Sequence, residues 1–402
     1  MAQISLKDIF SNYTTKKPIF KDKDTLSIRF TPETIPHREE QINQLGHILA
    51  PVLRNEKPSN VFIYGKPGTG KTLVAKKVIT TLESTLDAAE HKPSVKTIYL
   101  NCKMRKVTDT EYRLLAQLME FFGEKVPYTG LPTNELYMRF FRLLDASRQN
   151  VLLVLDEIDF LVNKIGDGFL YNLTRINQDL ENTKVTLVGI SNNISFLENL
   201  DSRVKSSLSE EELIFPPYNA TEIRDILTQR SGMAFHPETI SDSAIAKCAA
   251  LAAQEHGDAR KAIDLLRVAG ETAERIGSVQ VREEHVDMAQ NKVDSDRSIE
   301  TIRAQPKQSK IVFKAILDLY KKNAKAVQTG DVYDLYTNLC QKNNIKPLTQ
   351  RRVSDLISEL DTFGIVSTAN ISKGRYGRTR RISVNLSGTV VSKMEEMLSK
   401  EL

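Results

Sequence analysis

Short, unbroken runs of apolar residues alternate with segments of helical periodicity through the first half of the chain. The runs are rich in Val, Ile and Leu, and they occupy residues 61–64, 97–100, 151–155 and 184–190. Between them, apolar residues recur every three or four positions in segments 42–53, 110–122 and 133–147. Strands buried on both faces and separated by amphipathic helices are typical of a doubly wound parallel sheet. The pattern therefore predicts an α/β base domain over residues 29–217.

The pattern changes after Pro216-Pro217, where the strand-like runs stop. Helical periodicity then fills segments 221–230, 242–256, 258–276 and 281–290. These segments predict a small all-helical domain over residues 218–296. A charged stretch with one proline predicts a linker at 297–309.

Both ends of the chain differ from this middle part. Residues 1–28 are polar and basic without periodicity, which predicts a flexible or loosely docked arm. From residue 310, helical segments lead to two strand patterns at 364–367 and 381–384. We therefore expect a third domain over residues 310–402.

The first apolar run leads directly into a glycine-rich loop. Its residues fit the spacing G-x-x-x-x-G-K-[ST]: Gly65, Lys66, Pro67, Gly68, Thr69, Gly70, Lys71 and Thr72. Glycines let successive backbone N–H groups turn toward one anion, and the following helix directs its positive dipole end to the same point. The lysine can then reach the β- and γ-phosphates, and the threonine hydroxyl can bind Mg²⁺. The loop predicts a nucleotide site; a plain glycine turn is the alternative interpretation.

The third apolar run ends in two adjacent carboxylates, Asp156 and Glu157. An acid at the end of a buried strand helps to hold Mg²⁺ in the second nucleotide-binding motif. The next acid is placed to orient or deprotonate an attacking water. Together with the glycine-rich loop, the pair predicts Mg²⁺-assisted hydrolysis of ATP to ADP. The alternative is a strand that ends in acids only for solubility.

Composition narrows the cellular setting. The chain is 40% hydrophobic and 27% charged, as in ordinary globular proteins. It contains no run near the roughly 18 apolar residues of a membrane helix, and its first twenty residues lack a signal-peptide pattern. The three cysteines, Cys102, Cys248 and Cys340, are too few and too far apart for a disulfide framework or a zinc site. We therefore expect a cytoplasmic, nucleoid-associated protein without a membrane partner.

Positive charge is concentrated at the C-terminal end. Residues 305–402 hold 17 Lys and Arg against 9 Asp and Glu, a net charge of +8. The other 304 residues hold 39 against 42, a net charge of −3. This asymmetry indicates a polyanionic partner for the last domain.

Two segments of that domain carry its candidate DNA contacts. One begins a predicted helix, with Thr349 as N-cap and Gln350, Arg351 and Arg352 in the first turn. The other joins the two strands and contributes Lys373, Arg375, Tyr376, Arg378, Arg380 and Arg381. Five cations in nine residues, with glycines and one aromatic ring, suit a loop lying along a phosphate backbone. Helices followed by a hairpin predict a winged-helix DNA-binding domain, with the second helix of the turn in the major groove.

These DNA assignments leave two questions open. A solvated hairpin tip is the alternative for the loop, although self-repulsion disfavours it. The two arginines of the helix fit contacts to phosphates or to bases equally well.

The two nucleotide motifs followed by an all-helical domain resemble the AAA+ ATPases. The resemblance implies that Asn192, after the run 184–190, is a polar sensor of the γ-phosphate and the water. It implies that Arg260 is a second sensor on the lid, as the all-helical domain is called in these proteins. It also implies that Arg203 is an arginine finger for a neighbouring subunit. The residues implied for an adenine platform are Pro36, His37, Tyr218 and Ile226.

Each of these assignments has a structural alternative. Asn192 fits a strand-end turn, and Asp258 fits an N-cap that leaves Arg260 as a solvated helix residue. Arg203 fits a surface arginine, and the platform residues fit core packing.

The whole chain resembles the archaeal origin-recognition and helicase-loading initiators. The matching stretches are residues 31–39, 65–72, 156–159, 215–219 and 375–378. The resemblance covers about residues 10–395. It implies that the protein binds double-stranded origin DNA and helps to load the replicative helicase, with a paralogous initiator as a candidate further subunit.

The same resemblance implies a helical insertion within residues 103–131 that touches the DNA minor groove. Its candidate contacts are Lys103, Arg105, Lys106, Thr108, Tyr128 and Thr129. A basic surface loop is the alternative for residues 103–106. Ser206-Ser207 departs from kin with a complete arginine-finger motif and leaves Arg203 or Lys205 for that task. Activation between subunits is therefore in doubt.

The function predicted from these features is that of a replication initiator with weak, Mg²⁺-dependent ATPase activity that serves as a switch. An AAA+ branch-migration motor is one alternative. A nucleotide-gated signalling or transcription regulator is another, and a DNA-binding repressor with a vestigial nucleotide fold is a third. The intact residues Lys71, Thr72, Asp156 and Glu157 argue against the vestigial fold.

Overall fold

The structure, a computed structural model, describes most of the chain. The described residues are 17–27, 30–89, 93–103, 110–127, 130–208, 210–323, 327–372, 378–384, 386 and 388–401. They form two compact units, one up to Val286 and one from Asp287 onward.

The first unit combines a five-stranded sheet with helices. Its strands are β1 (Val61–Gly65), β2 (Val95–Asn101), β3 (Asn150–Asp156), β4 (Lys184–Ser191) and β5 (Glu211–Phe215). Its described α-helices are α1 (Glu39–Leu49), α2 (Lys71–Ala88), α3 (Glu111–Phe121), α4 (Thr133–Leu144), α5 (Ile158–Ile165), α6 (Gly168–Arg175), α7 (Ser202–Leu208), α8 (Ala220–Ala234), α9 (Asp242–Gln254) and α10 (Ala259–Ile276). Short 3₁₀ helices lie at Lys23–Leu26, Ala50–Arg54, Ile176–Gln178 and Leu197–Asn199.

The sheet is parallel, with the strand order β2-β3-β4-β1-β5. Strand β3 shows why its sequence is an unbroken apolar run. Leu153 and Leu155 pack into the core on one face with Phe62, while Leu152 and Val154 pack into the core on the other face. Both faces are thus covered by helices, which confirms the predicted doubly wound α/β class.

The edge strand β5 is missing from the sequence-based prediction. Leu213 and Phe215 of this strand are buried, but Glu211, Glu212 and Ile214 are exposed. One face of β5 is exposed to solvent, so its sequence alternates instead of forming a continuous apolar run. Five residues are too few for that alternation to stand out.

The N-terminal arm was predicted to be flexible or loosely docked, and of these alternatives flexibility is wrong for residues 17–27, which are docked. Ile19 and Phe20 are buried, and the Phe20 ring stacks on Phe235 with the ring centres 4.8 Å apart. The backbone N–H groups of Lys21 and Asp22 donate to the Ala234 carbonyl at 2.8 and 3.1 Å. Two apolar residues isolated among polar ones thus pack beside α8 and α10, where the Ile19 N–H also donates to Glu274 and Lys23 pairs with Glu271.

The second unit has the elements of a winged helix. After α11 (Glu283–Arg303), within which the boundary between the units falls, come α12 (Lys307–Asn323), β6 (Val327–Gln328), α13 (Thr329–Lys342), α14 (Gln350–Thr362), β7 (Val366–Ser372), β8 (Arg378–Val384) and α15 (Gly388–Glu401). The strands form an antiparallel sheet in the order β6-β8-β7. Three helices and a hairpin confirm the predicted winged-helix class.

The prediction of a lid ending at residue 296 followed by a linker at 297–309 needs correction. Helix α11 continues to Arg303, and α12 begins at Lys307. The stretch before Arg303 lacks Gly and Pro, and side chains one turn apart pair, as Gln290 does with Asp294 at 3.0 Å. Polarity alone therefore does not interrupt the helix here, whereas Pro306 follows soon after its end.

Replacing Phe20 with alanine should destabilise the first unit by about 3 kcal/mol, because the aromatic ring is removed from a filled site. Urea denaturation followed by circular dichroism measures the loss. Val279, which is 83% exposed, provides the control, since its replacement by alanine should change stability by less than about 0.5 kcal/mol. Equal effects of the two substitutions would contradict the packing of residues 17–27.

Candidate functional site

The glycine-rich loop lies between β1 and α2. Gly68 and Gly70 have φ angles of +73° and +93°, which other residues rarely adopt. The Lys71 ammonium donates hydrogen bonds to the Gly65 and Lys66 carbonyls at 2.8 and 2.7 Å. The loop is therefore a closed turn around the lysine at the N-terminus of a long helix, which is the arrangement that binds phosphates.

The ammonium of Lys71 occupies an unfavourable position for a charge. The residue is 4% exposed, and burial lowers the pKa of its ammonium to about 8. Repulsion by Arg260 acts in the same direction, while Asp156, Asp159 and Asp258 oppose it. A buried ammonium that is repelled by a second cation, the exposed Arg260, favours an anionic ligand there.

Asp156 and Thr72 meet beside this loop. The Thr72 hydroxyl donates to Asp156 Oδ2 at 3.0 Å, and the Tyr99 hydroxyl donates to the same carboxylate oxygen. Adjacent oxygens in an octahedral Mg²⁺ shell, each about 2.1 Å from the ion, are also about 3.0 Å apart. The hydroxyl and the carboxylate thus fit neighbouring ligand positions of Mg²⁺. Tyr99 was not among the predicted site residues.

Glu157 has a backbone conformation that is rare for a non-glycine residue, with φ of +57°. Its N–H donates to Asp156 Oδ1 at 3.0 Å, and its carboxylate lies 3.6 Å from the Lys103 ammonium. This conformation costs free energy, and such strain concentrates at functional sites. The left-handed conformation of Glu157 turns the chain between β3 and α5 at the carboxyl edge of the sheet. Lys103, predicted as a DNA contact, is thus placed beside the predicted water-activating residue.

Asn192 lies at the same edge of the sheet because of strand order. Strand β4 runs between β3 and β1, with Ile190 in register with Asp156 and Ser191 in register with Tyr64. Asn192 follows directly. The parallel sheet therefore brings the ends of β1, β3 and β4 together, as the sensor assignment requires.

A cavity of about 460 Å³ adjoins the loop. Of the predicted residues, its lining includes Pro36, Gly68, Gly70, Thr72, Tyr218, Ile226 and Arg260. The lining also includes residues absent from the sequence-based prediction: Phe30, Thr31, Pro32, Ile35, Gln229, Arg230 and Ile263. Its apolar and aromatic walls suit a flat heterocyclic ring. The signal available in the sequence was a cluster of prolines and apolar residues at 30–36 without helical periodicity.

His37 does not take the predicted place on the adenine platform. Its φ is +62°, and its Nε2 lies 3.0 Å from Asp225 Oδ2 on α8, so the ring is outside the lining of the cavity. The next residue, Arg38, is buried against the loop and was also missed.

The start of α10 contacts the glycine-rich loop. Asp258 caps this helix by accepting from the Arg260 N–H at 2.9 Å, and the Ala259 N–H lies 3.4 Å from the Gly68 carbonyl oxygen. Arg260 lines the cavity. The two interpretations of this motif are therefore compatible: the aspartate caps the helix, and the arginine after it faces the nucleotide cavity.

Arg203, the predicted arginine finger, lies on α7 and is 62% exposed on its side chain. Its guanidinium holds both oxygens of Asp201 at 3.1 Å and lies over the Tyr171 ring. Hydrogen bonds from Arg203 lower the pKa of Asp201 to about 2. These contacts are those of an ordinary surface arginine. The action of Arg203 on a neighbour's nucleotide stays a prediction.

In the second unit, the predicted first turn of the recognition helix is present. Thr349 caps α14 by accepting from the Arg352 N–H at 3.4 Å, and Gln350 and Arg351 are exposed. The Arg352 guanidinium lies 3.5 Å from Glu359 and 3.9 Å from Asp355. Arg351 is thus better placed than Arg352 to meet an anion, because no carboxylate of the described residues forms an ion pair with it.

The predicted DNA contacts of the wing have different surroundings. Arg380 donates to the Ser358 hydroxyl at 2.5 Å, which ties β8 to α14. Arg381 is exposed, and Arg378 begins β8. Eight further predicted contacts lie outside the described residues: Arg105, Lys106, Thr108, Tyr128, Thr129, Lys373, Arg375 and Tyr376.

The described residues show neither a membrane-spanning helix nor a metal-binding cluster of side chains. None of their helices combines the length and the apolar character that crossing a membrane requires. No group of three or more His, Cys, Asp or Glu side chains in this part of the chain is arranged to hold a metal ion.

Three protein-family models match successive parts of the chain. They describe an AAA domain at residues 54–196, a Cdc6 AAA+ ATPase-type lid domain at 224–291 and a CDC6 C-terminal winged helix domain at 300–394. The fold and the loop thus define a nucleotide-binding AAA+ ATPase with a lid and a winged helix. The lid is the helical part of the first unit from α8 onward.

Relatives give the particular family. The ORC1-type DNA replication protein of Pyrococcus furiosus is 50% identical over 96% of this chain and 91% of its own length. ORC1-type DNA replication protein 1 of Methanosarcina acetivorans is 51% identical over 95% and 91%. The chain belongs to the family of ORC1-type DNA replication proteins, and its fold is that of this family.

Solved structures agree with this assignment. The structure of the Aeropyrum pernix ORC1 protein in complex with DNA matches 96% of this chain and 100% of its own, with a TM-score of 0.79 and 43% identity. The structure of Drosophila ORC bound to DNA matches 98% of this chain and 94% of its own, with a TM-score of 0.61 and 22% identity, and it supports the fold alone.

Replacing Gly68 with alanine should weaken ADP binding by about tenfold or more, which corresponds to at least about 1.4 kcal/mol. An added Cβ would lie 1.7 Å from Asp258 Oδ1, and the φ of +73° would be strained, so the start of α10 must move off the loop. Isothermal titration calorimetry with ADP measures the loss.

Gly46 provides the matched control, since it lies in α1 with nothing within 4 Å of an added Cβ. Its replacement by alanine should leave ADP affinity unchanged and stabilise the helix by about 0.5–1 kcal/mol. Unchanged affinity in the Gly68 variant would show that the contact between loop and lid does not shape the site.

Proposed function

We propose that this protein binds double-stranded origin DNA and helps to recruit or load the replicative helicase, with bound ATP or ADP as the switch. The observation that carries the proposal is the intact nucleotide site of an ORC1-type chain that also has a winged helix. The Aeropyrum pernix relative was solved in complex with DNA, which supports DNA binding by this chain.

Each polar group of the nucleotide site has one proposed task. Thr72 and Asp156 would hold Mg²⁺, which when bound neutralises phosphate charge and so assists phosphoanhydride hydrolysis. Lys71 and Arg260 stabilise the phosphates by their positive charge. Glu157 orients and deprotonates the attacking water, and Asn192 hydrogen-bonds the γ-phosphate and that water.

A slow ATPase fits the switch better than a motor. Lys103 pairs with Glu157, and Arg203 pairs with Asp201 in its own chain. Glu157 must separate from Lys103 before it acts on the water, and Arg203 must separate from Asp201 before it acts on a neighbour's nucleotide. We therefore propose weak, Mg²⁺-dependent hydrolysis that sets the lifetime of the ATP-bound form.

The DNA contacts combine a helix and a wing. The first turn of α14 enters the major groove, and Arg351 supplies its exposed charge. Arg381 and the cations of residues 373–378 lie along the phosphate backbone. The segment that contains residues 103–108 and 128–129 contacts the minor groove, in which a basic residue such as Lys103 adds attraction to phosphates.

Helicase and paralogous initiator are the proposed protein partners. The family membership favours the initiator role over the branch-migration motor, the signalling regulator and the vestigial repressor. Location in the cytoplasm, on the nucleoid, follows from the proposed substrate, chromosomal DNA.

Replacing Glu157 with glutamine should lower the rate of ATP hydrolysis by about 100-fold, because the water loses its general base. ATP binding should persist. Footprinting of the purified protein on its own genome should then show protection at one or a few intergenic repeats, and the variant should remain there longer with ATP than the wild type does.

Lys71→Ala is the companion variant, since it removes the group that holds the phosphates. It should lose the difference between ATP and ADP in the footprint. Dispersed protection, or preference for DNA junctions, would contradict the initiator proposal and favour one of the alternatives.

Replacing Arg351 with alanine should weaken DNA binding by about tenfold, the effect of losing one charged contact of about 1–3 kcal/mol. Fluorescence anisotropy with origin and random duplexes at several salt concentrations measures it. A salt slope that falls by about 1 for both duplexes indicates a phosphate contact, and a loss confined to origin DNA indicates a base contact.

Lys400 on α15 is the charge-matched control. Its side chain is 74% exposed and pairs with Glu396 at 3.0 Å. Its replacement by alanine should leave DNA affinity within about twofold, because α15 is not one of the proposed DNA elements. An equal loss in both variants would mean that only net charge matters.

A further inference from the structure

Arg38 is a buried arginine that joins three segments of the first unit. It is 2% exposed. Its Nε donates to the Thr69 carbonyl at 2.8 Å, its Nη1 to the His37 carbonyl at 2.7 Å and its Nη2 to the Pro216 carbonyl at 2.6 Å. The guanidinium also lies over the Tyr218 ring, with its central carbon 3.7 Å from the ring centre.

These partners belong to parts of the site with different roles. Thr69 is in the glycine-rich loop, one residue before the glycine that caps α2. Pro216 follows β5, and Tyr218 leads into α8, so both lie in the connection between the sheet and the lid. Arg38 itself comes just before α1. One side chain thus links the phosphate loop to the connection that carries the lid.

The chemistry of this arrangement is unusual for a buried charge. The three hydrogen bonds of the Arg38 side chain run to carbonyl oxygens, and burial lowers the pKa of its guanidinium against the attraction of Glu222 and Glu39. A buried cation without a paired carboxylate costs free energy compared with an apolar residue of similar size. What the guanidinium provides, and an apolar side chain cannot, is a rigid planar fork that fixes three carbonyls and a ring in one geometry.

The lid contacts the glycine-rich loop at a second point, the start of α10. A Cβ on Gly257 would lie 2.3 Å from the Tyr218 carbonyl oxygen, and one on Gly68 would lie 1.7 Å from Asp258 Oδ1. The start of α10 is therefore packed between Tyr218 and the loop. Arg38 contacts the Tyr218 ring, so loop, connection and lid form a closed set of contacts.

We propose that Arg38 is the positioning residue that couples the phosphate loop to the lid. A shift of the Thr69 carbonyl when the loop closes on phosphates moves the guanidinium. The guanidinium in turn moves the Pro216 carbonyl and the Tyr218 ring, and with them the lid. This inference rests on the proposed nucleotide switch, and it names the side chain through which that switch reaches the lid.

Hydrogen exchange with and without ADP tests the coupling in the full-length protein. In the wild type, ADP should slow exchange at residues 69–73 of the loop and, by about tenfold, at residues 245–252 of α9, a part of the lid that does not line the cavity. In Arg38→Lys and Arg38→Ala, the loop should still be protected by ADP. Protection of the lid segments should fall to less than about twofold.

Arg38→Lys is the decisive variant if Arg38→Ala does not fold. Lysine keeps the charge and the apolar stem but lacks the planar fork, so a role limited to charge or packing would leave the coupling intact. Arg267 provides the matched control, since it pairs with Asp264 and Glu271 within α10. Its replacement by alanine should loosen the lid in both states and keep the effect of ADP.

Each outcome decides the question. ADP protection of the lid that is as large in Arg38→Lys as in the wild type would overturn the inference, and so would its absence from the wild type. DNA affinity with ATP and with ADP is measured in parallel. If the wild type shows the exchange coupling but binds DNA equally with both nucleotides, the role of Arg38 stands and the proposed switch fails.

Discussion

The parallel direction of the strands is the constraint on which the nucleotide site depends. Because β1, β3 and β4 run the same way and lie side by side, Gly65, Asp156 and Ser191 end at one edge of the sheet. The loop that follows β1 is long enough to fold around the Lys71 ammonium. Every group assigned to phosphate, Mg²⁺ or water in the base domain follows from this single arrangement.

The lid supplies part of the wall of the nucleotide cavity, which the edge of the sheet alone does not provide. The cavity beside the loop has one wall from residues 30–36 and another from α8 and α10, so a nucleotide there touches several segments at once. Asp258 against Gly68 and Arg38 against Thr69 fix these segments to the phosphate loop. A ligand that changes the loop therefore acts on the lid through short, packed contacts. Such contacts between loop and lid are required for a switch in which the lid responds to the γ-phosphate.

The winged helix has a different balance of forces. Its helices share one apolar core, in which Val353, Leu356 and Leu360 of α14 are buried. The exposed face of α14 mixes Arg351 and Arg352 with Asp355 and Glu359. The carboxylates partly neutralise Arg352 in the free protein, and they would repel phosphates along the rest of the helix. The first turn is therefore the part of this helix that suits DNA.

The sequence alone determined the fold class, the phosphate loop, the Asp156-Glu157 pair and the winged helix, because each depends on residues close together in the chain. Apolar periodicity reports burial, and glycine spacing reports a turn. The tertiary structure alone decided the docking of residues 17–27, the place of His37 outside the cavity, and the roles of Tyr99 and Arg38. Those depend on contacts between distant segments: Phe20 meets Phe235, and Arg38 meets Thr69 and Pro216. Local pattern carries no record of such partners, since a buried arginine and an exposed one look the same in a sequence.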